Sequence, residues 1–489
     1  MQATVQEPKK MVDPPPNNAF RSKWANLFVF LLLDFTQIIF ISLLIPGIKE
    51  SETSWVGFDY VPNSSIVWFT VGSVVVVYLL RSITGSYQIL QLFTKPGIFQ
   101  LYPADITEET LQLDYLSPSK IIKTVKEVAE EMKISPVSKI FMAKTAVPNA
   151  YTIVLSEFPF IPFIRKRNYV VLNSNIMQIL NEEEIRAVIA HELGHIRNHD
   201  SIIRLILSAP HLFLQIAYLL LYIRILTGVS NAILVQFNPV IAAVRTLDLF
   251  VVMILATLIS DWSIGFLRKS NQMAELQADL ESLRIVGFKP TINMLIKLGQ
   301  RTEVLERLKG EMFWLEKQDL YRQEVRKGLI IEILEQFSQT EIDDQKVRQE
   351  APRVYLEKIL DSLAEAYKLE LRDLPGVEER LVRAVAALQK KRARELELLT
   401  LKQQNSKKPD LGVIDWRDFD LNRAQSLEEQ EIRQFVSHLQ VSPNMLFRSE
   451  VADLKNPERT HPSFRTRVLF VNHVCLEWST KSNGTNPTI

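Results

Sequence analysis

The stretch EEEIRAVIAHELGHIRNHD, residues 182–200, holds three of the seven histidines of the chain and sets a glutamate directly after the first of them. Asn181 precedes it as an N-cap, and Glu184 stands three residues later in capping-box position. Glu182 and Glu183 suit the positive end of a helix dipole. Ile185, Val188, Ile189 and Ile196 recur at helical spacing, which predicts a helix over 182–199 with one face toward a core. Just upstream, NYVVLN (168–173) reads as a short strand.

On that helix His191 and His195 are four residues apart and project from one face. Two imidazoles so placed can hold one Zn²⁺ at about 2.0–2.1 Å. Glu192, beside the first of them, reaches a water at the open position without being a ligand, which is the H-E-x-x-H arrangement with the carboxylate as general base. His199 is not the third ligand. It lies eight residues beyond His191, about 12 Å along the axis at 1.5 Å per residue. The missing ligand comes from elsewhere. SNQMAELQADLESL (270–283) is a second helical pattern with Glu275 and Asp279 four apart on one face. Spacing alone does not choose Glu275 over Glu281.

Before residue 270 the chain carries long apolar blocks. Residues 24–46 are long enough to cross a hydrocarbon core, which takes about 20 helical residues, although Asp34 interrupts them and needs a polar partner at depth. Residues 61–80, 202–225 and 239–266 are further candidate spans, the last two carrying Arg204, Arg245 and Asp248. Basic residues flank the first span on its N-terminal side (Lys9, Lys10, Arg21, Lys23), and Arg81, Arg268 and Lys269 follow the second and fourth. The linker 227–238 carries no charge. This asymmetry predicts a multi-pass membrane protein with both termini and the segment 81–200 on the cytoplasmic side, in a bacterial plasma membrane or its equivalent. The lipid bilayer is then one partner.

The whole-chain figures agree. Lys+Arg 57 against Asp+Glu 56 gives a net charge of +1, which argues against a nucleic-acid partner. Cys475 is the sole cysteine, so no internal disulfide and no Cys-based zinc knuckle exist. Residues 291–455 are rich in Glu, Lys, Arg, Leu and Gln and read as partly solvated helices, broken by a loop at 404–412.

AVIAHELGHIRNHD followed by SNQMAELQADLES resembles the membrane zinc metallopeptidases typified by the heat-shock protease HtpX and the CAAX prenyl protease. The resemblance implies one Zn²⁺ per chain, with His191, His195 and Glu275 as ligands, Glu192 as general base and Asp279 hydrogen-bonded to a ligand histidine. VPNAYT (147–152) looks like the family's N-A-F/Y segment, which implies that Asn149, Ala150 and Tyr151 lie on an edge strand and bind substrate backbone. THPSFRTRV (460–468) looks like its late T-H-P motif, which implies that His461 and Arg467 stand near the oxyanion. The implied fold is mainly α with a small β-sheet: multi-pass transmembrane helices plus a cytosolic zincin-like metallopeptidase domain. The expected division is a tail and two spans (1–81), the first part of the peptidase domain (82–200), a membrane hairpin (201–267), the third-ligand helix (268–299), a charged helical insertion (300–455) and a C-terminal segment (456–489).

Three departures stand out. SNQM lacks the basic residue that often follows its serine, 300–455 interrupts the two motif groups, and four spans rather than seven favour the HtpX-like branch. The implied function is a zinc endopeptidase acting on peptides or on membrane or misfolded proteins, in protein quality control. A silent membrane scaffold or chaperone working through the charged helices is the alternative from another class, and a protease for lipidated C-termini is a rival enzyme.

Overall fold

The computed structural model describes residues 19–47, 98–102, 117–143, 149–156, 166–317, 416–441 and 461–484, with short pieces between 72 and 94. The apolar block 61–80 is described only from 72 onward, and most of the charged region 300–455 lies outside the described residues. The described part is mainly helical with one small sheet, as expected.

Helix α1 (Ala19–Gly47) comes first, followed by strand β1 (Ile98–Gln100). Helix α2 (Pro118–Glu131) starts where Ser117 accepts from the backbone N–H of Lys120 and Pro118 supplies a helix-ready φ. Its apolar face (Ile121, Val125, Val128) is fully buried. Strands β2 (Val137–Ala143), β3 (Ala150–Ser156) and β4 (Lys166–Asn173) complete a sheet of order β1-β2-β4-β3. Only β2 and β4 pair in parallel. The strand expected at 168–173 is the inner strand β4, and β3 is an edge. Met142, Val170 and Leu172 face the core.

After the short α3 (Asn175–Ile179) comes α4 (Glu182–Arg197), capped as the sequence predicts: Asn181 accepts from Glu184 N, and Glu184 accepts from Asn181 N. The helix stops two residues before the expected end. His199 takes a left-handed conformation (φ 57°) and α5 (Asp200–Leu234) starts at once. The uncharged linker shrinks to Val235–Asn238, where the Asn238 side chain caps α6 (Pro239–Val286). The fourth apolar block and the helix carrying Glu275 are therefore one continuous 48-residue helix. No helix breaker lies between them.

Helices α1, α5 and α6 pack together. Leu27 and Phe30 bury against Leu31, Phe266 and Leu267. Asp34, fully buried, finds its partner in Ser263, whose hydroxyl donates at 2.5 Å. Outward they expose Phe28, Leu32, Leu219, Ile223, Phe250, Leu258 and Trp262. Among the described residues no helix is long and apolar enough to cross a membrane.

Helix α4 lies between the sheet and α6. Small residues let the two backbones approach: Ala187, Ala190 and Gly194 on α4, and Ala274, Ala278 and Ser282 on α6. Ser282 Oγ donates to Ala187 O at 3.0 Å. Helix α7 (Phe288–Lys317), α8 (Glu429–Val441) and α9 (Phe464–Gly484) close the core, with Ile292, Leu295, Phe435, Val468 and Phe470 buried. Trp416 and Leu427, ahead of α8, join the same core. Ser426 donates to Glu184, whose carboxylate takes both contacts of Lys297 at 2.7 Å.

Candidate active site

The close packing of α4 on α6 sets two imidazoles against a carboxylate. His191 Nε2 lies 3.5 Å from Glu275 Oε2, and His195 Nε2 lies 3.6 Å from Glu275 Oε1. One ligand atom from each of the three residues falls within 4.8 Å of the others. A tetrahedral ion with bonds of about 2.0–2.1 Å needs its ligand atoms about 3.3–3.4 Å apart. The donor set of two neutral-capable nitrogens and one carboxylate oxygen therefore fits zinc. Among the described residues this is the one His/Cys/Asp/Glu group that could hold a metal ion.

The other nitrogen of each ring is also engaged. His191 Nδ1 sits 3.0 Å from Asp279 Oδ1, and His195 Nδ1 sits 2.8 Å from Asp200 Oδ2. With Nδ1 hydrogen-bonded, the Nε2 lone pairs point toward Glu275, as metal-binding histidines require. Glu281, the competitor left open by spacing, turns away to Arg197 (2.6 Å) and Arg284 (3.0 Å).

Arg467 reaches the site from α9 and grips Asp279 with two bonds, Nε to Oδ2 at 2.8 Å and Nη2 to Oδ1 at 2.6 Å. Its Nη2 also lies 3.3 Å from His191 Nδ1, and its Nη1 3.9 Å from Glu275. His461 Nδ1 lies 2.9 Å from Glu275 Oε1 from an exposed position. Tyr151 and Ala150 open the edge strand β3, and Thr152 of that strand donates to Glu192 O at 3.4 Å. Asn149 precedes the strand and its carbonyl accepts from Asn173 N. His191, Glu192, His195, Glu275, Asp279, His461 and Arg467 thus gather around α4, whereas the Tyr151 side chain packs on the other face of the sheet, against Phe141, Tyr169 and Val171. Residues 147–148 and 460, which belong to the two quoted motifs, lie outside the described residues.

Charge sets the state of these groups. Burial works to raise Glu275, but the His195, His191 and His461 rings outweigh it and hold its carboxyl well below the usual range. Burial likewise opposes Asp279, and Arg467 overrides it downward. For His191, burial and Arg467 act downward, yet the bonds to Asp279 and Glu275 win and carry it up to about 9. Glu192 moves the other way from its carboxylate neighbours: burial raises it above the ordinary value, against the pull of His191 and His195. A buried carboxyl with a raised pKa is the better proton acceptor when ionised.

Sequence reasoning missed Asp200. It stands five residues after His195, where a continued helix would turn it about 140° away at 100° per residue. The left-handed His199 cancels that rotation.

Comparison with known proteins adds the following. Residues 117–339 match the family model for Peptidase family M48. The chain is 31% identical over 169 residues to a protease HtpX homolog of a Sulfurihydrogenibium species, covering 33% of this chain and 49% of that protein. It is 29% identical over 155 residues to a protease HtpX homolog of Thermoplasma volcanium, covering 32% and 46%. A plastoglobule-localized metallopeptidase of Arabidopsis thaliana is 27% identical over 114 residues, covering 21% and 30%. The chain spans about half the length of the first of these relatives, or less. No solved structure matches it. The resemblance read from the two helical motifs is borne out: the part of the chain that carries both of them is similar to HtpX-like M48 metallopeptidases. The family match ends before His461 and Arg467.

Proposed function

We propose that this chain is a zinc-dependent endopeptidase in which His191, His195 and Glu275 hold the metal and Glu192 is the general base. The observation that carries the reading is the triangle of His191 Nε2, His195 Nε2 and the Glu275 carboxylate, with edges of 3.5 and 3.6 Å, and with both Nδ1 atoms already on carboxylates. Zinc, when bound, supplies Lewis-acid polarisation of the scissile carbonyl and of the attacking water. Glu192 takes the proton from that water as it adds to the carbonyl carbon, then gives a proton to the leaving amine nitrogen. An extended substrate backbone adds as a strand along the edge of β3, with Ala150 and Tyr151 offering main-chain groups. His461, exposed beside the Glu275 carboxylate, would steady the oxyanion. Arg467 works through Asp279, keeping that carboxylate charged and turned toward His191.

The chain is a multi-pass membrane protein on this reading, with the peptidase site on the cytosolic side and membrane or misfolded proteins as substrates. Support comes from the four apolar blocks of the sequence and from the apolar surface that α1, α5 and α6 expose. The buried Asp34–Ser263 bond supplies the partner that an acid at membrane depth needs.

The test is hydrolysis of an unfolded protein by the full chain in detergent, with and without a chelator. Activity should vanish with the chelator and return with zinc. Glu192→Gln should retain zinc by elemental analysis and lose turnover by about 10²–10⁴-fold. Parent-like cleavage by Glu192→Gln would remove the proposed base.

A further inference from the structure

The two candidate ligand histidines are backed in the same way, and the second backing crosses to the N-terminal helix. His191 rests on Asp279, which Arg467 grips. His195 rests on Asp200 at 2.8 Å through Oδ2, and the other oxygen of Asp200 bonds Lys23 Nζ of α1. Lys23 also lies 3.4 Å from the Gln277 side-chain oxygen on α6. All of these groups are out of solvent: Lys23 is 3% exposed, Asp200 5% and Gln277 7%.

Each feature runs against a default. An ammonium group buried on a helix that otherwise exposes Trp24, Phe28 and Leu32 is costly unless it meets a charge. A non-glycine residue in left-handed conformation, here His199, is strained. That turn brings Asp200 back beneath the His195 ring. The N-terminus of α5 adds its dipole to the attraction for the carboxylate.

We infer that Asp200, locked by Lys23, is the positioning residue for His195, so that the N-terminal helix α1 is a working part of the metal site. Asp200 fixes the proton on Nδ1 and turns Nε2 toward the metal. Lys23 holds the second carboxylate oxygen and stops Asp200 from rotating to another donor. Lys23 acts on the ring only through Asp200. The inference rests on the zinc reading of the site and deepens it.

The experiment uses the full chain in detergent, with zinc titrated against a competing chelator and cobalt substituted for its d–d spectrum. Asp200→Asn keeps the shape and removes the charge. It should weaken zinc by about 10–100-fold, as loss of such outer partners does, and shift the cobalt bands. Lys23→Met should weaken zinc as well, and Lys23→Arg should restore parent affinity. In the Asp200→Asn background, Lys23→Met should add nothing further. A mere structural tie between α1 and α5 predicts lowered melting temperature with unchanged cobalt bands.

If the parent binds zinc tightly, and folded Asp200→Asn binds it equally with the same spectrum, the positioning role is overturned while the metal site stands. If the parent itself takes up no zinc, the underlying site reading has failed. Should Asp200→Asn not fold, the Lys23 pair decides: equal zinc affinity in the Met and Arg forms overturns the inference.

Discussion

Replacing Gly194 should loosen the metal site through the helix contact that it allows. A Cβ on Gly194 would lie 3.2 Å from Ala278 Cα, 3.3 Å from Glu281 Cβ and 3.5 Å from Ala278 Cβ. Ordinary carbon contacts settle at about 3.5–4.0 Å. The nearest atom is backbone and cannot rotate aside, so α4 and α6 must part by several tenths of an ångström. Overpacking of this kind costs about 1–3 kcal/mol. Alanine recovers up to about 1 kcal/mol over glycine inside a helix. Gly194→Ala should therefore lose about 0–2 kcal/mol of stability. Gly194→Val adds two further methyl groups with little helix gain and should lose about 3 kcal/mol. His195 follows Gly194 directly and Glu275 sits one turn before Ala278, so the separation falls on the ligand distances themselves. Each 1.4 kcal/mol of strain that metal binding must undo costs about tenfold in zinc affinity. Denaturant unfolding and chelator competition, run on both variants, measure the two effects. A Gly194→Val protein with parent stability and parent zinc affinity would refute the close-approach argument.

Lys297→Met should cost about 3–5 kcal/mol, because it strands the fully buried Glu184 carboxylate. Burial already lowers the Lys297 pKa despite Glu184 beside it, so the pair is held at a cost. The double change Lys297→Met/Glu184→Gln should recover most of the loss, and denaturant unfolding of both forms checks it. Arg467→Met should strand Asp279 in the same way and weaken zinc binding, with Arg467→Lys intermediate because an ammonium cannot bridge both oxygens. Chelator competition reads the order of the three proteins. Glu192 must be ionised to accept a proton, and burial raises its pKa, so activity is lost as pH falls through a value above the ordinary glutamate range. A kcat/KM profile whose acid limb lies at or below that range would contradict the assignment of the limb to Glu192.

Two of the candidate ligands and the base were legible because they sit on one turn and a half of a single helix, whose cap and periodicity are local patterns. Asn181 and Glu184 behave as the capping box their spacing announces. The third ligand was not legible from spacing, since Glu275 and Glu281 share a helix and differ only in which face meets α4. The resemblance pointed to Glu275, and the packing puts Glu281 on Arg197 and Arg284. Residues 416–441 were hidden by averaging. Within a long charged stretch, Trp416, Leu427, Ile432, Phe435 and Leu439 are few, yet they enter the main core. Asp200 was hidden for another reason. Its meaning depends on the backbone sign at His199, and a histidine there does not advertise a left-handed turn. Lys23 lies 177 residues from its partner, beyond any local pattern.

The charges around the site form one system. Glu192, Glu275, Asp279 and Asp200 face Arg467 and Lys23 at close range. Four carboxylates against two fixed cations leave two negative charges uncompensated while both imidazoles are neutral. Such an imbalance in a buried place is costly. His191 is carried up to about 9 by its bonds to Asp279 and Glu275, although burial and Arg467 both oppose it. A divalent cation between His191, His195 and Glu275 would compensate that deficit. Arg467 and Lys23 thus set the charge that the site asks for, one from each end of the chain.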